Sequence, residues 1–139
     1  MSRGAVLAVA ALLLVWVLTG GAGAQAPRAT VKILFPNEGR VVPAGDVTVA
    51  MTNTGPRLVP ADDSHNLRTG HFHIYLDKVP EHVGRPIPKG VEGIVHTADR
   101  SFTLKGVTPG LHTLILVWAH GDHIPFNPWV SDTIMFEVR

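Results

Sequence analysis

The stretch GHFHIYLD, Gly70 to Asp77, decides how the rest of the chain is read. Side chains along an extended strand alternate between its two faces. Phe72, Ile74 and Leu76 therefore form one apolar face, and His71, His73 and Tyr75 share the other. The two imidazoles stand about 7 Å apart at their backbones, a spacing from which both rings can turn toward a single ion. A second strand pattern, LHTLILVWAHGDH from Leu111 to His123, ends in a turn that carries His120 and His123 around Gly121 and Asp122. If the two strands pair antiparallel, the start of the first lies beside the end of the second. His71, His73, His120 and His123 then meet at one rim.

Working outward, Thr30 to Phe35 reads as a strand closed by the turn Pro36-Asn37-Glu38-Gly39. A second turn at Pro43-Ala44-Gly45 leads into Val47 to Thr52, whose apolar side is Val47, Val49 and Met51. Periodicity vanishes from residue 53 to 69, where Pro, Gly and Asp accumulate; an excursion of that length is either a binding rim or a tolerated surface loop. After Asp77, Pro80, Pro86 and Pro88 exclude an interior strand or helix. Ile94-Val95-His96 reads as a brief edge strand, Arg100 to Leu104 as another strand, and Thr133 to Val138 as the last. About seven short strands, turn signals at nearly every junction and no helical pattern beyond the leader predict an antiparallel β-sandwich. The immunoglobulin-like arrangement is the expected form. In it, strand C would be GHFHIYLD, strand F would be LHTLILVWA and the final strand would be G, with the loops before C and after F at the same end.

The first 24 residues read as a cleavable secretory signal. Arg3 supplies a positive start, Ala5 to Leu18 an apolar run, and Ala22-Gly23-Ala24 small residues for cleavage. The run is shorter than the ~20 residues a membrane-spanning helix needs, so no stable anchor is expected after processing. Residues 25–139 would then form one domain, large enough for a core of its own. Removing Arg3 leaves 11 Lys and Arg against 11 Asp and Glu, so no basic field for nucleic acid remains. The chain has no cysteine, which excludes disulfides, thiol catalysis and thiolate metal sites. An exported domain without disulfides points to a bacterial periplasm or exterior.

All eight histidines lie beyond the leader, against a single tyrosine. Imidazole suits copper, zinc, nickel and iron; without thiolates the natural ions are Cu(II) and Zn(II), with copper favoured by intrinsic affinity. His71, His73 and His123 are the expected ligands, and His120 is either a fourth or a hydrogen-bonding neighbour. Asp122 is placed to accept the second ring N–H of a liganding histidine. Phe126 and Trp129, in the segment IPFNPW, either seal the rim or form a recognition patch for a periplasmic protein or glycan. His112 is read as structural, anchoring the turn before strand F, and His65, His82 and His96 as isolated residues outside the site. Asp77 falls at the opposite end of strand C.

With those residues in place, the chain resembles the family of exported bacterial domains termed domain of unknown function 4399. The likeness covers roughly residues 70 to 138. It is carried by Gly70-His71, His73 and Asp77 in a GHxHxxxD pattern, and by His96 before the next strand. Gly110, His112-Thr113-Leu114 and Leu116 continue it, followed by His123, Pro125, Pro128 and Ser131 in HxPxxPxxS. Phe72, His120 and Phe126 depart from that pattern, so a metal site here does without two side chains it would otherwise have. The resemblance implies an exported Ig-like fold and no particular chemistry. The HxH strand is also similar to that of copper,zinc superoxide dismutases, His71 and His73 matching the copper-binding pair, but the zinc loop and cysteine bridge have no counterpart.

No nucleophile, base and orienting acid assemble around Ser64 or Ser131, and no phosphate loop, HExxH helix or carboxylate pair for glycoside cleavage is present. Three functions remain. The first is binding of a transition-metal ion at one end of the sandwich without turnover. The second is an interaction module using the Phe126 and Trp129 rim with the loop at 53–69. The third is a copper redox enzyme with an open coordination position.

Overall fold

The computed structural model describes residues 28–81 and 84–139, so the expected signal segment and His82 lie outside the described residues. Nine strands follow in order: β1 Thr30–Phe35, β2 Arg40–Val42, β3 Gly45–Thr54, β4 Arg57–Leu58, β5 Thr69–Leu76, β6 Ile94–Thr97, β7 Ser101–Val107, β8 Gly110–Ala119 and β9 Ser131–Val138. They form two sheets, one in the order β1-β3-β7 and one in the order β2-β9-β8-β5-β4, with β6 also pairing β5. This is the immunoglobulin-like sandwich. β5, β8 and β9 are adjacent as strands C, F and G are, and β2 runs parallel to β9 along the sheet edge.

The expected count of about seven strands rises to nine through short pieces. β4 is a two-residue parallel partner of β5 within the region read as aperiodic, and β2 stands where only the approach to a turn was expected. Neither is long enough to show a period of two. β7 also runs on through Gly106 and Val107, which the glycine and proline nearby made look like part of the turn.

The core lies between the sheets. Phe72 and Ile74 of β5 face it with Leu114, Leu116 and Trp118 of β8, Val49 and Met51 of β3, and Phe136 of β9. The Phe72 and Trp118 rings meet edge to face with centroids 5.2 Å apart, a geometry contributing roughly 0.5–1.5 kcal/mol beyond burial. The outward face of β5 and β8 is covered as well. Tyr75, Val117 and Ala119 pack with Ile87 in a second apolar cluster, because the proline-bearing segment after Asp77 folds back over the sheet. The backbone N–H of Ile87 donates to the His123 carbonyl at 2.9 Å. Consequently β5 is buried on both faces from Thr69 to Tyr75, and whatever its histidines do happens out of bulk water.

Candidate metal centre

β5 and β8 pair antiparallel with His71 opposite Ala119 and His73 opposite Val117, so the start of one strand lies beside the turn that ends the other. Gly70 permits this approach: a Cβ there would sit 2.5 Å from the Ala119 carbonyl oxygen and 2.7 Å from the Trp118 ring. The turn itself is held from several sides. His123 N–H donates to the His120 carbonyl at 2.9 Å, and Ile124 N–H donates to Asp122 Oδ1 at 3.1 Å. The loop before β5 ties on through Asp63 N–H to the Gly121 carbonyl at 3.1 Å and Asp122 N–H to the Ser64 carbonyl at 3.0 Å. Gly121 is in turn packed against the Asp62 side chain, leaving no room for a Cβ. The region from 53 to 69 is thus a clamp on the histidine turn.

His123 emerges from that turn with φ of 66°, a left-handed conformation uncommon for a residue with a Cβ and concentrated at functional sites. Its Nδ1 lies 3.0 Å from His71 Nε2, 3.2 Å from His73 Nε2 and 3.0 Å from His96 Nδ1. One ring nitrogen from each of His71, His73, His96 and His123 falls within 4.8 Å of all the others. His71, His73 and His123 are 2 %, 0 % and 5 % exposed, and His96 is half-buried.

Three of the histidines expected at the rim are therefore together, and the fourth is a different one. His96, read as an isolated residue, stands directly opposite His73 in the β5–β6 pairing. The brief edge strand Ile94 to His96 was legible in the sequence, but nothing local indicated that it would pair with β5 or in what register. His120 is turned away. Its ring stacks on Phe126 with centroids 3.7 Å apart and its Nδ1 lies 3.1 Å from the Asn66 carbonyl oxygen. Asp122 does not hold a ring of the cluster, because its Oδ2 lies 2.8 Å from His65 Nδ1 instead. Phe126 and Trp129 are half-buried, the first against the main core and the second against the Ile87 cluster; the cover over the four histidines comes from the Ile87 and Pro88 segment.

The cluster is neutral. Burial first, and then the neighbouring rings of His123 and His96, push the His71 pKa down to about 4. Burial and the adjacent imidazoles depress His73 further, burial and His123 lower His96, and burial and the Lys89 charge lower His123. A neutral imidazole has one N–H and one lone pair. His96 Nε2 lies 3.0 Å from the Pro88 carbonyl oxygen, so it carries the hydrogen and His96 Nδ1 presents its lone pair to the cluster. His123 Nδ1 faces three nitrogens at once. If it donates, it can satisfy one; if it accepts, it meets the His96 lone pair head on. Whichever tautomers the rings take, at least one of these short contacts is left without a hydrogen bond, and hydrogen bonding among four neutral rings cannot close the site. His71 Nδ1, His73 Nδ1 and His123 Nε2 are also buried without a hydrogen-bond partner among the described residues.

Four converging neutral nitrogens with no carboxylate in the group match the donor chemistry of a borderline transition-metal ion and not that of calcium or magnesium, which take oxygen. The Pro88 carbonyl on His96 is the kind of partner that fixes the tautomer of a liganding ring. The class of molecule is thus an Ig-like β-sandwich with a buried four-histidine cluster at one end that could hold a metal ion. A family model, Domain of unknown function (DUF4399), matches residues 49–139, and the chain belongs to that family. Comparison with curated proteins finds no match.

Proposed function

We propose that this chain is an exported, periplasmic or secreted metal-binding domain. In this reading it holds one Cu(II) or Zn(II) ion through His71, His73, His96 and His123, without turning over a substrate. The observation that carries the reading is the convergence of four ring nitrogens within 4.8 Å of one another, at contacts that no choice of tautomers can all turn into hydrogen bonds; a cation at their centre removes the conflict. Copper is favoured over zinc by the affinity order for nitrogen donors. The deep burial of His73 and the cover by Ile87 suit retention of an ion rather than chemistry on a large substrate.

Titration with Cu(II) and Zn(II) while following the thermal midpoint tests it. An ion that binds only the folded chain stabilises by about 2.7 kcal/mol at a free concentration 100 times its Kd. His96→Ala and His71→Gln should each reduce that response sharply. His120→Ala should leave it intact. Equal responses of the His96 and His120 variants would refute the ligand set, and no rise in the parent protein would refute metal binding.

A further inference from the structure

The four histidines are not equally shut in. A recess of about 370 Å³ opens to the surface between Ala61 of the clamp loop, Lys89 and Gly90 of the covering segment, and Ile94, and its floor is His96 and His123. The volume admits an anion of a few atoms with some water, each water taking about 30 Å³. Lys89 is exposed and makes no ion pair among the described residues. It lines the same recess as His96 and His123. Acids of the neighbouring loop and turn are engaged elsewhere: Asp62 accepts from Ser64, and Asp122 pairs with His65 and Ile124. A second opening, also bordered by Ala61, is lined by His71, His96 and Asp99 and has no lysine or arginine among the described residues of its wall.

This arrangement is electrostatically incomplete for a divalent ion. Four neutral donors leave both positive charges uncompensated in a largely dry site, and the basic residue at the mouth adds a third. A bound ion is often the dominant local charge, and burying net charge without a counter-charge is costly. We propose that the site takes up a small monovalent anion together with the metal, bound to the ion on the side open between His96 and His123 and paired with the Lys89 ammonium. The inference rests on the metal-binding reading and adds to it a ligand class and a residue that selects it.

Azide is a suitable probe, used on the full chain loaded with one equivalent of Cu(II). Azide should bind saturably, one per copper, giving an azide-to-copper charge-transfer absorption and a change in the copper electron paramagnetic resonance spectrum. Lys89→Ala, at an exposed position, should weaken azide about fivefold without weakening copper. Lys89→Arg should restore it, and Asp99→Ala should leave it unchanged. Stoichiometric copper uptake with no spectral response to azide would overturn the anion site and leave the metal site standing, as would equal azide affinity in the parent and the Lys89→Ala protein. Failure to take up copper would overturn both.

Discussion

At the residue scale, His123 is the point on which the cluster depends. It reaches three other imidazoles from a left-handed backbone position, and its depressed pKa keeps a lone pair available near neutral pH. The same depression links protons to stability. An unfolded histidine takes up its proton near pH 6.5, while His71 in the fold does so only near about 4. Between those values the unfolded state binds more protons, so the contribution of His71 to the stability of the metal-free protein is full above about pH 6.5 and is lost as the pH falls toward 4. Each unit of pKa difference corresponds to about 1.4 kcal/mol. The thermal midpoint of the metal-free protein should therefore fall on acidification through this window, and His71→Gln should flatten the fall. A midpoint independent of pH over that range would show that the rings are not held neutral by burial.

At the element scale, the site is made by three strands and two covering segments. β5 presents His71 and His73 on one face by simple alternation, β6 lays His96 opposite His73, and β8 ends in the turn that carries His123. The contact between β5 and β8 at Gly70 sets how closely the first and last of these approach. A methyl group there meets backbone at 2.5 Å, which cannot give way as a flexible side chain would. Gly70→Ala should cost roughly 1–3 kcal/mol in chemical denaturation through overpacking. It should also impair metal uptake more than its effect on stability accounts for, because His71 is the next residue. A variant of parent-like stability and metal affinity would mean that the strands can separate freely at this point. The covering segment explains a further property of β5. A strand buried on both faces would usually be apolar throughout, yet this one carries His71, His73 and Tyr75 on the face turned away from the core, where Ile87 packs on Tyr75.

At the scale of the whole molecule, the two ends of the sandwich use histidine in opposite ways. At the far end from the cluster, His112 Nδ1 lies 2.7 Å from Asp77 Oδ2 and His112 Nε2 lies 2.7 Å from the Thr108 carbonyl oxygen. Both nitrogens face acceptors, so the ring is best satisfied as an imidazolium. Burial opposes that charge, but the Asp77 and Thr108 hydrogen bonds outweigh it and raise the pKa. This pair stabilises fully below the unfolded histidine pKa and loses its contribution as the pH rises through the folded value, the reverse of the cluster. Asp77→Asn keeps a side chain tolerant of the left-handed φ of 54° at this position and removes the charge together with one of the two oxygens that face His112 and Thr113. It should cost about 1–2 kcal/mol at pH 6 and less at higher pH. Metal affinity should not change, since well-separated sites act additively. A loss of metal binding in this variant would show that the two ends are coupled through β5 and β8.

Much of this was legible in the sequence, because it follows from local chemistry. Strand alternation assigns Phe72 and Ile74 to the core and His71 and His73 to the other face, whatever the rest of the chain does. The turn residues bound the strands, and the C, F and G strand order brings His123 to the same end as His71. His112 could be read as an anchor for the same reason. Only the tertiary structure decided the membership of the cluster. His96 sits on a four-residue strand whose register against β5 depends on long-range pairing. His120 and Asp122 lie in a turn with a left-handed residue, where no period tells which way a side chain points. The cover over the site comes from Ile87 and Pro88, in a stretch whose prolines announce what it cannot form and are silent on where it packs. Periodicity reports the face of a strand; which distant segments meet on that face is settled by closing the chain on itself.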